Sequence, residues 1–424
     1  MILLNKGRGK IVMLEKLDIN IYSHFLNIIR RYMELKKCEK EEKVDTAILH
    51  VQYAILDINS QIGIFNPDNP QLSVYYQTMI KTDFFINVVE ELYESFFNKK
   101  GKCVWGKHFS EIRKFRLYRS LTLAHPLETT YYEEFGFGKE NNKWCEDVQP
   151  KGIIFDRNLK DADYVMVIKE KGKQVTSKVP ISVKDDILSV AKIALGKLQF
   201  FTKKLDEKLI LLEEKLKETL IPINKDMDIL EYIKILLAEL EIRYPSEIQK
   251  IEYEDGRVET YCILIDAYEM LSYIFNDSSK EEIFEQYKRE IRKSIYYYGT
   301  SLQNMDLEET QAHERLSRIL NPSVLTFIEK SNDKQAHYKH EKIKEYLSRS
   351  KECSFERAKK KLMELSYDGC KEVGICTNAE WGVIQLLMMR DEFIPYFPID
   401  FNATDKEIYY QYLTALYYAN KSLN

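Results

Sequence analysis

Between Val44 and Ile62 the apolar residues Val44, Ile48, Val51, Ile55, Ile58 and Ile62 follow one another at alternating steps of four and three. A strand would scatter these positions over two faces, whereas a helix of about 3.6 residues per turn gathers them onto one. A helix striped in this way must be covered by other elements, and the neighbouring sequence supplies them. Ile21, Phe25, Ile28, Ile29 and Tyr32 form a stripe ahead of it, and Phe84, Val88, Leu92 and Phe96 form one behind it, with Asp83 near the expected start of that third helix. The cluster from Asn66 to Pro70 and the segment from Gly101 to Gly106 break the chain between these runs. The N-terminal portion is therefore expected to be a helical bundle whose fourth helix runs from His108 to about Leu123.

The texture changes after Pro150. Ile153 to Phe155, Asp163 to Lys169 and Gln174 to Val179 read as short strands with a hairpin turn around Gly172. They make a connector too small to fold alone. A long helix is expected from Lys184 to Thr219, stopped by Pro222, with another from Ile229 to Leu240. A second hairpin is expected around Asp255 and Gly256. Helices then resume through Ile263 to Phe275, Glu281 to Tyr297, Asp306 to Leu320, Asp333 to Ser348, Phe355 to Leu365 and Ala379 to Arg390. The expected fold class is mainly α. Its three regions are an N-terminal bundle over residues 1–148, a β-hairpin insertion or connector over 149–182, and a larger helical region over 183–424 that regulates, senses or dimerises. At 424 residues the chain has room for two or three domains of roughly 100 to 200 residues each.

The chemistry concentrates just before the first change of texture. From Lys99 to Arg119 the cations are Lys99, Lys100, Lys102, Lys107, Arg113, Lys114, Arg116 and Arg119, against the single acid Glu111, in a chain whose net charge is -4. Such a segment attracts phosphate. It leads into Ser120, Thr122, His125 and Pro126. Arginine holds phosphoryl oxygens in a charged fork, and histidine titrates where it can take and return a proton. None of the other six histidines, His24, His50, His108, His313, His337 and His340, has an arginine at this distance before it. The spacing taken alone is a short motif of low specificity, and a basic helix face with His125 capping it is the competing reading.

Arg119, the polar Ser120 and then His125 resemble the Arg-x4-6-His motif of the HEPN superfamily, small helical domains that include RNA-cleaving toxins and phage-defence nucleases. The resemblance covers the first third of the chain, and Pro126 departs from the commonest form because it disturbs a helix there. It implies Arg119 as the phosphate or transition-state contact, His125 as catalytic acid or base, and Ser120 as a supporting polar group. Arg113, Arg116, Thr122 and Tyr131 would then contact substrate, with Thr129, Thr130, Tyr131 and Tyr132 offering either hydroxyls and stacking rings or simple packing. On an ideal helix positions 119 and 125 lie about 120° apart, so they converge only if the chain turns after Ala124 or if two copies share a pocket. A homodimer with RNA as partner is expected, together with an inhibitor or antitoxin partner. The function so implied is a metal-independent endoribonuclease, a toxin or phage-defence effector. The alternatives are a non-catalytic RNA- or protein-binding scaffold and a degenerate HEPN module retained for dimerisation.

The remaining constellations carry less. His337 and His340 sit three apart with Lys339 between them, which reads as a solvated surface rather than a metal site. Lysines from Lys330 to Lys361 interleave with Glu341, Glu345, Glu352 and Glu356, as on a salt-laced exposed helix. Seven cysteines, with no Cys-x-x-Cys among them, point to reduced core thiols, and Cys370 and Cys376 lack zinc spacing. No phosphate-binding glycine loop is present, and Gly136 and Gly138 mark only a loop, so no cofactor is expected. No apolar run approaches the roughly 20 residues of a membrane helix, so a cytoplasmic protein without a membrane partner is expected.

Overall fold

The computed structural model describes residues 14–36, 41–66, 71–124, 148–154, 162–170, 176–222, 227–252, 254, 256, 258–276, 281–330, 334–347, 377–393 and 395–423. The fold is mainly α, as the periodicities require, with one three-stranded antiparallel sheet and one two-stranded hairpin among the described residues. The chain divides into two compact units, Met1–Leu211 and Leu212–Asn424.

The first unit is built on α1 (Asn20–Lys36), α2 (Glu41–Ile64) and α3 (Leu72–Phe97). All six members of the α2 stripe are buried, as are Phe25 and Ile29 of α1 and Val88 and Leu92 of α3. Each such side chain contributes about 1.5 to 3 kcal/mol by leaving water. Leu17 is tied to α2 by a reciprocal pair, its N–H donating to Asn59 Oδ1 (2.7 Å) and its carbonyl accepting from Asn59 Nδ2 (2.9 Å). Helix α3 is longer than its sequence stripe suggests, which places Asp83 in its middle rather than near its start. It ends at Asn98, whose left-handed backbone (φ 53°) lets its N–H donate to the Glu94 carbonyl. Gly101 and Gly106, at φ +49° and +56°, then bracket the single turn α4 (Lys102–Trp105) and permit two sharp bends that other residues resist.

The cationic segment is helical from Phe109 to Ala124, close to the expected span of His108 to about Leu123: α5 (Phe109–Arg119) widens at Ser120–Ala124 into a π-type turn. Strands β1 (Val148–Ile154), β2 (Tyr164–Glu170) and β3 (Thr176–Ile181) follow as an antiparallel meander. Tyr164 anchors the meander, its hydroxyl donating to the Gln71 carbonyl (2.8 Å) at the start of α3. The long helix begins with a π-type turn over Val183–Leu188 and continues as α6 (Ser189–Glu218). Its first half packs into the bundle core around Phe201, whose ring centre lies 6.0 Å from that of Phe25, 5.4 Å from Tyr93 and 5.5 Å from Phe96.

In the second unit, α7 (Ile229–Arg243) precedes a hairpin of β4 (Gln249–Glu252) and β5 (Val258–Tyr261), and α8 (Ile263–Asn276) and α9 (Glu281–Asn304) follow. Arg243 is fully buried, yet its guanidinium is satisfied by Glu239 (2.8 Å) and the Thr219 carbonyl (2.7 Å). The helix expected over Asp306 to Leu320 is broken at Gln311 (φ 51°) into α10 (Leu307–Thr310) and α11 (Ala312–Leu320). Then come α12 (Leu325–Lys330), α13 (Ala336–Leu347), α14 (Asn378–Met388), α15 (Arg390–Phe393) and α16 (Asp405–Leu423).

Helix α13 corrects one expectation. His337 is exposed, but Lys339 and His340 are buried, and His340 Nδ1 meets the Tyr412 hydroxyl at 2.6 Å. The reason is α16, whose Tyr412 face covers that side of α13; the salt-laced face is the opposite one, where Lys342 meets Glu345 (2.7 Å) and Glu341 (3.3 Å). The segment from Phe355 to Leu365, Glu352, Glu356, Cys370 and Cys376 lie outside the described residues. Among the described cysteines, Cys262 is buried and Cys103 exposed. Among the described residues no helix is long and apolar enough to cross a membrane.

Candidate functional site

Helices α3 and α5 pack against each other, and their facing polar residues line a cleft of about 460 Å³. Asp83, Asn87 and Glu90 recur at steps of four and three, so they project from one side of α3 even though that helix is otherwise largely apolar. Opposite them Arg113, Arg116 and Arg119 recur every three residues on α5. Asp83, Asn87, Arg113, Arg116, Arg119 and Ser120 all border the cleft, whose apolar floor includes Ile112 and Leu117.

The two inner arginines are held differently. Arg116 is gripped on two sides: its Nη2 donates to Asn87 Oδ1 (2.8 Å) and Glu90 Oε2 (2.8 Å), and its Nη1 to Glu90 Oε1 (3.3 Å). Glu90 Oε1 also accepts the indole N–H of the fully buried Trp105 (2.5 Å), so one carboxylate joins α4, α5 and α3. Arg119 instead meets Asp83 through Nε at 3.2 Å, and Asp83 also accepts from Asn87 Nδ2 (3.3 Å). The Asp83 side chain is 10% exposed and that of Arg119 41%. A carboxylate sunk in the helix interface thus anchors the guanidinium by its inner edge, while much of the Arg119 side chain stays in contact with solvent.

The rest of α5 is fastened to the start of α6. Lys114 reaches Asp186 Oδ1 (2.9 Å) and lies 5.1 Å from the centre of the Tyr118 ring. Burial pulls the Lys114 ammonium down, but the bonds to Asp186 and Tyr118 outweigh it and hold the group above its ordinary value. Burial likewise pushes up the Tyr118 phenol.

The expected site residues therefore divide. Arg119, Ser120, Arg113 and Arg116 meet at one cleft. Thr122 does not border it, and its hydroxyl donates to the Tyr118 carbonyl (2.8 Å), closing the π-type turn. His125 and Tyr131 lie outside the described residues. Asp83 and Asn87 border the cleft, and Glu90 backs it by holding Arg116; sequence reasoning did not single out any of the three in that role. Their signal was a polar stripe at helical spacing inside an apolar helix, complementary in charge to the arginines that follow. No protein-family model, curated protein or solved structure matches this chain.

Proposed function

We propose that the α3–α5 cleft binds the RNA backbone and that the chain is a metal-independent endoribonuclease of the HEPN type. The observation that carries this reading is the asymmetric holding of Arg119. A guanidinium anchored through Nε by a buried carboxylate, on a side chain 41% exposed at a cleft, meets a phosphodiester at little further ordering cost. Arg113, exposed on the same wall, would steer the strand, while Arg116 is committed to Glu90 and Asn87 and acts as a support rather than a contact. In the reaction His125 takes the proton of a ribose 2′-hydroxyl, whose oxygen attacks the adjacent phosphorus. The 5′-oxygen then departs with the proton that His125 took up, leaving a 2′,3′-cyclic phosphate and a neutral imidazole, and Arg119 stabilises the charge on the phosphoryl oxygens. A toxin or phage-defence setting, a homodimer and an inhibitor partner belong to the same reading.

The test is cleavage of labelled RNA in chelator by the full chain. Arg119→Ala and His125→Ala should each abolish the cyclic-phosphate product, and unchanged cleavage in either variant would refute the mechanism. A second reading, a non-catalytic scaffold, is favoured by the ion pairs of Arg116 and Arg119 to α3, which fasten α5 whether or not RNA is present. It predicts salt-dependent RNA or protein binding with no product at all.

A further inference from the structure

Trp105 joins the cleft to a second concavity. Its indole N–H reaches Glu90 and so the Arg116 support, while Trp105 also borders a pocket of about 510 Å³ between α6 and the turn before α5. The basic side chains of that pocket are Lys107, Lys192, Lys197 and His108, the last 3.6 Å from Glu111, and among the described residues no carboxylate lines it. Lys192 is countered by Glu15, which is itself 81% exposed, at 2.5 Å. Among the described residues neither Lys107 nor Lys197 has a carboxylate partner. Burial, and then the charges of Lys107 and Lys204, hold the Lys197 ammonium below its ordinary value, as expected where like charges gather without a counter-charge.

The floor is apolar. Ile193, Gly196 and Phe200 lie on one face of α6 at steps of three and four, and Phe200 is 48% exposed. Glycine is among the least favourable residues in a helix interior, so one in the middle of α6 calls for a reason. Close packing is not that reason, because a Cβ at Gly196 would meet nothing within 4 Å; at Gly299 of α9, by contrast, it would meet the Tyr232 hydroxyl at 2.1 Å. What a side chain at position 196 would occupy is the pocket itself.

We propose that this pocket binds one nucleotide unit, its phosphate on Lys107 and Lys197 and its base against Phe200 and Ile193. Lysine supplies the point charge a phosphate needs, and the Phe200 ring, which carries the Lys204 ammonium 4.9 Å from its centre on one face, supplies its opposite face for a base to stack on. The same chemistry is offered by a free nucleotide and by one residue of an RNA strand. The choice of a nucleotide among phosphorylated ligands rests on the RNA reading of the neighbouring cleft. A lipid surface suits a concave site less well, since a flat membrane cannot enter it.

The experiment measures binding of AMP, inorganic phosphate and a fluorescent 2′-O-methyl oligoribonucleotide, which cannot form the cyclic phosphate, to the full chain. Wild type should bind AMP or the oligonucleotide more tightly than phosphate alone. The Lys107→Ala, Lys197→Ala double variant and Gly196→Leu should each weaken that binding by about tenfold or more, while Gly196→Ala keeps it and melts no lower than wild type. Oligonucleotide binding that AMP does not displace assigns the site to a strand, and displacement by AMP assigns it to a free nucleotide; both uphold the pocket. Wild-type affinity in the double variant, no binding by wild type, or capture only by phosphatidylserine vesicles overturns it. If Gly196→Leu does not fold, the lysine pair decides alone. Arg119→Ala separates the two claims, because cleavage can fail there while binding at this pocket persists.

Discussion

Glu90 should matter to stability more through the indole it accepts than through the arginine it pairs. Replacing Glu90 with Leu removes the acceptor of a fully buried Trp105 N–H and both Arg116 contacts. An orphaned buried donor costs about 1 to 3 kcal/mol. The ion pair adds little, since the Arg116 side chain is 34% exposed and Glu90 21%; about 0.2 to 1 kcal/mol is the ordinary range for such pairs. Glu90→Leu should therefore destabilise by about 1 to 4 kcal/mol. Glu90→Gln, which keeps an oxygen for the indole, should cost about 1 kcal/mol, and Arg116→Ala about 0.5 kcal/mol. The measurement is equilibrium urea unfolding followed by tryptophan fluorescence and by far-ultraviolet circular dichroism, accepted only where the two transitions coincide. If Arg116→Ala costs as much as Glu90→Leu, the ion pair rather than the indole bond dominates, and the ranking argued from burial is wrong.

Two further outcomes concern the second unit. His313 Nδ1 stands 2.8 Å from Glu247 Oε2, and that bond raises the imidazole above its ordinary value despite burial. Because the folded value is the higher one, the stabilisation is complete below the unfolded value of about 6.5 and is lost as pH rises through the folded one. Asp266, in the same pocket, is pushed up to about 6 by burial and then by Glu269, so its ionisation also weakens the fold, between its unfolded value near 3.8 and about 6. Stability should thus fall with rising pH across both windows. Glu247→Gln should flatten the upper one and Asp266→Asn the lower one in urea midpoints taken across the range, and a fall that survives both changes would refute the assignment. At Gly299, alanine would drive its Cβ into the Tyr232 hydroxyl, which is buried without a hydrogen-bond partner among the described residues. Gly299→Ala should cost about 1 to 3 kcal/mol by overpacking, and adding Tyr232→Phe should restore part of it in thermal melts; no recovery would mean the strain lies elsewhere.

Legibility in the sequence followed the range of the interaction. The stripes of α1 and α2 were readable because a helix repeats its own face every few residues, and burial of Phe25, Ile29 and Val44 through Ile62 needed only some apolar partner. The strands around Tyr164 and Val179 were readable for the same local reason. The last helix, Asp405–Leu423, lies past the last range the sequence delimits, and the burial of His340 was not legible because it depends on Tyr412, 72 residues away. The cleft was legible by half. Arg113, Arg116, Arg119 and Ser120 announced themselves as a local run of charge, whereas Asp83, Asn87 and Glu90 carried only a faint polar spacing.

The primary structure alone thus determined which segments become helices, which of their faces seek cover, and where positive charge accumulates before His125. Those properties arise from backbone geometry and side-chain chemistry within a few turns. Tertiary packing alone decided that Arg116 is spent on Glu90, that Arg119 is anchored by Asp83 with its side chain still in solvent, and that Gly196 opens onto a basic pocket. Each depends on how far one helix is rotated and slid against another, and that register is set by the whole core rather than by any local stretch of residues.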